Sequence, residues 1–224
     1  MNTIKAIITG TTGMVGKGVL LECLENPAVE GVLVINRHPI DIHHPKLKEI
    51  IHSNFFDLSA IEEQLKGYTA CFFCLGVSSF RMKEKDFSRV TYDLTLQVAQ
   101  TLLRINPMLA FCYVSGQGTD SSERGRLMWA RVKGKTENAL LAMFSNAYMF
   151  RPGYIHPMLG IRSRTAAYNA VYTITKPLYP FLKYLFPKSL TTTQTIGKAM
   201  IAVMLKGYDK KVLNPRDINQ LANA

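Results

Sequence analysis

Ile4-Lys5-Ala6-Ile7-Ile8-Thr9-Gly10-Thr11-Thr12-Gly13-Met14-Val15-Gly16 is the stretch that decides the fold. A β-branched apolar run stops at a loop with glycine at every third position. Val15, Val19, Leu20, Cys23 and Leu24 then recur at helical spacing until Asn26-Pro27. The first pattern is that of a buried parallel strand, the second that of a helix packed on one side. In the turn between them Gly10 permits a tight reversal, Gly13 lets backbone approach a phosphate, and Gly16 lets helix and strand pack closely. Thr11, Thr12, Met14 and Val15 complete the loop and the first helical turn, whose free N–H groups attract anions. The segment reads as a cradle for the diphosphate of a dinucleotide, in the spacing T-G-x-x-G-x-x-G. A P-loop is excluded, because Gly16-Lys17 would need glycine at position 11 and Ser or Thr at 18, where Thr11 and Gly18 stand.

Outward from this stretch, strand-like and helix-like patterns alternate. Val32-Leu33-Val34-Ile35 reads as a second strand and Ile50 to Phe56 as a third. Ser59-Ala60-Ile61-Glu62 matches a capping box, which predicts a short helix ending near Gly67. Ala70 to Leu75 reads as a fourth strand. A helix over about 87–103 follows, with Val90, Leu94, Val98 and Leu102 on one face. Leu109 to Val114 is a fifth strand, a helix is predicted over 127–143, and Tyr148-Met149-Phe150 is a sixth strand. Regular alternation with short links selects a doubly wound parallel sheet, the Rossmann fold, whose ligands bind beyond the carboxyl ends of the strands. The second strand ends at Asn36-Arg37-His38, where a carboxylate would suit the ribose hydroxyl of NAD. A guanidinium suits a 2′-phosphate instead, so NADP is the expected coenzyme and NAD the second choice.

With 224 residues and 47% hydrophobic content, the chain has the size of one α/β domain plus a small appendage. Met1 leads almost at once into the first strand, no run of eighteen uncharged apolar residues occurs, and a cytoplasmic protein is expected. Cys23, Cys71, Cys74 and Cys112 read as buried hydrophobes rather than a disulfide or metal set. The net charge of +11 is uneven: Lys and Arg number 16 against 14 acids up to residue 150, and 11 against 2 beyond it. Solubility is the favoured account of that basic third. Peripheral contact with a membrane is an alternative, and no nucleic-acid partner is expected.

Taken together, Thr9 to Gly16, Asn36-Arg37, Asp57-Leu58, Cys74-Leu75-Gly76, Val114-Ser115, Lys133 in Trp-Ala-Arg-Val-Lys-Gly, and Phe150-Arg151-Pro152-Gly153 resemble the short-chain dehydrogenase/reductase superfamily. The likeness is to its extended and atypical branches, the NAD-dependent epimerase/dehydratase-like group, and most of all to the Tat-interacting-protein-like oxidoreductases. It implies contacts to adenine from Asp57 and Leu58, and a small-residue turn under the coenzyme at Leu75 and Gly76. Arg151, Pro152 and Gly153 would turn toward the nicotinamide. It also implies a serine, a tyrosine and a lysine as catalytic groups, in which the lysine's charge favours tyrosinate. Ser115 and Lys133 match that pattern, but Trp129 stands four residues before Lys133, where the tyrosine belongs. An indole N–H donates a hydrogen bond and gives up no proton near neutral pH. Tyr154 and His156 are the nearest substitutes by sequence.

Three regions follow: a nucleotide-binding core over 1–155, an aromatic and basic helical lid or substrate region over 156–190, and C-terminal helices over 191–224 that pack on the core. Two functions stay open. One is an NADP(H)-dependent oxidoreductase or epimerase-like enzyme acting on a small carbonyl or alcohol, with Ser115, Lys133 and Trp129 at its site. The other is a non-catalytic dinucleotide-binding redox sensor. A homodimer is the default assembly.

Overall fold

The computed structural model describes residues 3–156, 158 and 190–223. Its first strand, β1 (Ile4–Thr9), runs into helix α1 (Met14–Glu25). The chain continues through β2 (Val29–Asn36), β3 (Leu47–Ile51), a 3-10 helix (Ser59–Leu65) and β4 (Ala70–Phe73). A helical rod follows, made of α2 (Glu84–Ser88), a π-helical turn (Arg89–Asp93) and α3 (Leu94–Ile105). Then come β5 (Ala110–Val114), α4 (Met128–Met143), β6 (Ala147–Phe150) and β7 (Tyr154–His156). Beyond residue 189 the described elements are β8 (Leu190–Thr192), α5 (Thr193–Lys206), β9 (Val212–Leu213) and α6 (Pro215–Ala222).

The main sheet has the order β3-β2-β1-β4-β5-β6-β9 with all its pairs parallel. Strands β1, β2, β4, β5 and β6 are covered on both faces, which explains their near-continuous apolar runs, whereas edge strand β3 has no fully buried residue. Successive residues point to opposite sides. Ile8, Phe72 and Phe150 pack with Val19 and Leu20 of α1 and with Ile196 and Met200 of α5. Ile7, Phe73 and Met149 pack with Val98 and Leu102 of α3 and with Leu140 of α4. Helices α1 and α5 approach so closely that a Cβ on Gly18 would lie 2.4 Å from Thr193 Cβ, and one on Gly197 would lie 2.8 Å from Glu22 Cβ. The strand order reverses between β1 and β4, and the carboxyl ends on either side of that point form the cleft described below.

Several expected boundaries shift, each for a physical reason. The third strand ends at Ile51, and the following loop is held by His52, whose Nε2 lies 2.8 and 2.7 Å from the carbonyl oxygens of Asn54 and Asp57. The capping box at Ser59 is absent. Asp57 Oδ1 accepts from the Ser59 amide at 2.9 Å, and the turn that results winds as a 3-10 helix. The helix expected at 87 starts at Glu84 and contains the π-helical turn, which advances the helical face by one residue. Val98 and Leu102 enter the core, Leu94 packs against the same cluster while also lining a cavity at the carboxyl edge, and Val90, within the π-helical turn, lines that cavity. Short β7, β8 and β9 carry no periodic signal, and β7 pairs with β8 in a separate parallel ladder. The aromatic lid expected over 156–190 lies almost wholly outside the described residues. The cysteines form no disulfide: Cys23, Cys71 and Cys112 are buried, and half-buried Cys74 borders the pocket.

Candidate dinucleotide cleft

The glycine loop after β1 is shaped by close approach. Gly10 has φ +73°, and a Cβ there would lie 2.7 Å from the backbone of Cys74 and Leu75 at the end of β4. A Cβ on Gly16 would lie 2.3 Å from the Gly10 carbonyl oxygen, so the first turn of α1 sits directly on the loop. No side chain caps α1 and no acid occupies its first turn, which leaves the amides of its amino end for an anion. Thr11 is buried and donates its hydroxyl to Asn36 Oδ1 at 2.7 Å; Asn36 Nδ2 in turn donates to Glu49 Oε1 at 2.9 Å. This chain of bonds ties the loop to β2 and β3. The Asn36 side chain, read from sequence as a coenzyme contact, is thus engaged within the protein.

Two adjoining cavities open along the carboxyl edge and meet at Val77, which lines both. The first, about 310 Å³, is bordered by Gly10, Thr12, Gly13, Asn36 and Arg37 on one side, and by Leu75, Gly76, Val90 and Leu94 on the other. Arg37 is exposed at its rim, and no hydrogen bond or ion pair engages it among the described residues. A Cβ on Gly76 would meet nothing within 4 Å, so this backbone faces open space. Of the segment expected to meet adenine, Asp57 caps the 3-10 helix and the Leu58 side chain is buried in the core. Neither lines the cavity; Ser53, Phe55 and Phe56 do. The sequence reading missed these three because it placed residues 50 to 56 in a strand.

The second cavity, about 600 Å³, brings together Trp129 and Lys133 of α4, Gly116 and Gln117 after β5, and Pro152, Gly153 and Tyr154 after β6. Ser78, Ser79 and Phe87 close its far side. Trp129 thus faces the cleft, as its match to the tyrosine position implied. Tyr154 reaches the same cleft, whereas His156 is not among its lining residues.

Ser115 and Arg151 are placed otherwise than expected. The Ser115 hydroxyl is buried and donates to Glu137 Oε1 in a short bond, with the Phe150 carbonyl 3.2 Å away. The Arg151 guanidinium also turns inward. Its Nε lies 3.1 Å from both Glu137 oxygens, and its Nη2 donates to Glu137 Oε2 and to Ser121 Oγ. Neither side chain is among the residues that line the two cavities, unlike the placement the resemblance implied. The physical reason is Glu137 itself, a wholly buried carboxylate that needs charged and hydroxyl donors around it. Trp129, Lys133 and Glu137 follow one another at intervals of four residues and so share one face of α4. The Lys133 ammonium donates to the Ser115 carbonyl oxygen. Burial lowers its pKa to about 8, against a smaller upward pull from the Glu137 charge.

No family model matches the chain. Among curated proteins it is similar to "Protein FMP52, mitochondrial" of Debaryomyces hansenii, with 26% identity over 165 residues, 72% of this chain and 70% of that protein. The mitochondrial address in that name overturns the cytoplasmic expectation drawn from the opening residues and the hydropathy. Among solved structures, the Bordetella bronchiseptica enzyme WbmF in complex with NAD+ superposes with a TM-score of 0.67 at 18% identity, over 99% of this chain and 77% of that one. The short-chain dehydrogenase/reductase YIR035C of Saccharomyces cerevisiae superposes with a TM-score of 0.68 at 11% identity, over 98% of both chains. By its sheet order, its glycine loop and these likenesses, the chain has the Rossmann fold of the extended short-chain dehydrogenases/reductases and epimerases.

Proposed function

We propose that the protein binds NADP(H) and transfers hydride between it and a small carbonyl or alcohol, in a mitochondrial setting like that in its yeast relatives' names. The observation that carries this reading is a pair of adjoining cavities that share Val77. Between them they bring together the uncapped amino end of α1, the exposed guanidinium of Arg37, and the Trp129–Lys133 face of α4. The loop from Gly10 to Gly16 would hold the diphosphate, Arg37 the 2′-phosphate, and the bare backbone at Gly76 the nicotinamide half. When bound, the coenzyme supplies the hydride. The protein's share is to orient the two reactants, to limit water around them and to manage a proton near Lys133. An inward-turned Ser115 favours the second reading, a dinucleotide sensor without turnover, to the extent that the cleft lacks another proton donor.

Trp129, the only tryptophan of the chain, gives a direct test. Reduced nicotinamide absorbs where indole emits, so NADPH added to the protein should quench Trp129 emission by energy transfer, in a saturable way. Oxidised NADP+ should quench far less. Titration with both reduced coenzymes then ranks them, with NADPH expected to bind tighter by about tenfold or more, the worth of one charge-assisted contact. Absence of quenching at millimolar NADPH and NADH would remove the coenzyme from the cleft and the proposal with it.

A further inference from the structure

Resting on the reading just given, we infer that Lys133 itself is the proton donor of this cleft, with buried Glu137 holding in place Ser115, the residue whose carbonyl anchors it. The first ground narrows the choice to two side chains. Among the described residues lining the cavity that holds Trp129, Lys133 and Tyr154 alone carry side chains that ionise in water. The Trp129 N–H gives no proton near neutrality, and the Ser115 hydroxyl is turned onto Glu137. The second ground is placement. Lys133 sits at the cleft between Trp129, one turn before it, and Glu137, one turn after it, and one of its three N–H bonds is fixed on the Ser115 carbonyl. An ammonium held by one bond can direct another at a substrate oxygen.

The charged and ionisable groups around it are few. Glu137 lies on α4 itself, Arg151 pairs with that carboxylate from the end of β6, Tyr113 of β5 lies near it, and Tyr154 enters from β7. The loop after β4 brings only Val77, Ser78 and Ser79 to this cavity, and α2 brings Phe87. Desolvation lowers the lysine's pKa to about 8, within the range where an acid gives and regains a proton at cellular pH, and Glu137 opposes a further fall. In the reductive direction Lys133 gives its proton to the carbonyl oxygen as that oxygen takes up the C=O electron pair. Hydride from the reduced nicotinamide meanwhile forms the new C–H bond. The products are the alcohol and the oxidised coenzyme, and the neutral amine recovers a proton from solvent.

The test uses the full chain with NADPH and two probe carbonyls, 4-nitrobenzaldehyde and phenanthrenequinone. Two readouts are compared: the pH dependence of kcat/KM for NADPH oxidation, and competitive acetylation of Lys133 read by mass spectrometry. Both should titrate near pH 8, with reduction falling above it because the donor is then unprotonated. Glu137→Gln should move both midpoints down, and Lys133→Arg, which keeps a charge but yields no proton, should lower kcat by about 100-fold or more. If Glu137→Gln fails to fold, the wild-type profile and Lys133→Arg still decide. Activity retained within tenfold in Lys133→Arg, or lost in Tyr154→Phe while Lys133→Arg still turns over, would overturn the assignment. So would a gain of about 100-fold in Trp129→Tyr, since a working acid leaves no such deficit to repair. Quenching of Trp129 by NADPH without oxidation against either carbonyl overturns the donor alone; no quenching overturns the coenzyme reading beneath it.

Discussion

Glu137→Ala should destabilise the fold by about 3–5 kcal/mol, because it leaves the Arg151 guanidinium facing a dry cavity without its partner. Glu137 is 0% exposed and Arg151 only 15%, so water cannot replace the lost carboxylate without opening the core between α4 and β6. The change also strips the acceptor from the Ser115 hydroxyl and the counter-charge from Lys133. For a chain of this length the loss corresponds to a fall of roughly 10 °C in the melting midpoint. Chemical denaturation of Glu137→Ala beside Glu137→Leu/Arg151→Met separates the causes. The double variant removes both charges and keeps apolar volume, so it should recover much of the stability that the single change loses. A single-variant loss below about 1 kcal/mol would mean that the exposed edge of Arg151 lets in enough water to replace Glu137.

The second large effect concerns coenzyme choice. If Arg37 holds the 2′-phosphate as proposed, Arg37→Ala removes a charge-assisted contact worth about 1.5–3 kcal/mol, so NADPH should bind roughly 10- to 100-fold more weakly while NADH changes little. Arg37→Asp adds repulsion against the phosphate and offers a carboxylate to the ribose hydroxyl, so the preference should reverse. Because Arg37 is exposed, the NADPH advantage of the wild type should also shrink as salt is raised, which a titration in increasing sodium chloride would show. Equal affinities of the unmodified protein for both coenzymes would defeat the argument from Arg37.

How far this could be read from sequence depends on the kind of signal each part carries. The β1–loop–α1 unit was legible because three constraints coincide there: an apolar run, a helical period, and glycines where a Cβ would collide with backbone. Strands β2, β4, β5 and β6 are doubly covered and therefore announce themselves as apolar runs. What stayed hidden has no period. β9 has two residues and is recruited by the edge of β6; β7 and β8 have three each. Glu137 reads in sequence as one more charge on a helix, and only the tertiary fold makes it the hub that turns Ser115 and Arg151 inward. The π-helical turn was likewise hidden: Leu94, Val98 and Leu102 keep their common stripe along the regular helix, and only Val90, inside the turn, is taken off it. The cytoplasmic expectation failed for another reason: cellular addresses are read by receptors and leave little trace in hydropathy.

The small ladder of Tyr154–His156 with Leu190–Thr192 has an evolutionary implication. The polypeptide departs from the scaffold and rejoins it through neighbouring, mutually bonded doorposts, with Thr191 Oγ1 reaching the Tyr154 carbonyl at 3.2 Å. The two ends of the interval between these strands lie side by side, so the closure cost of a change in its length between lineages is small.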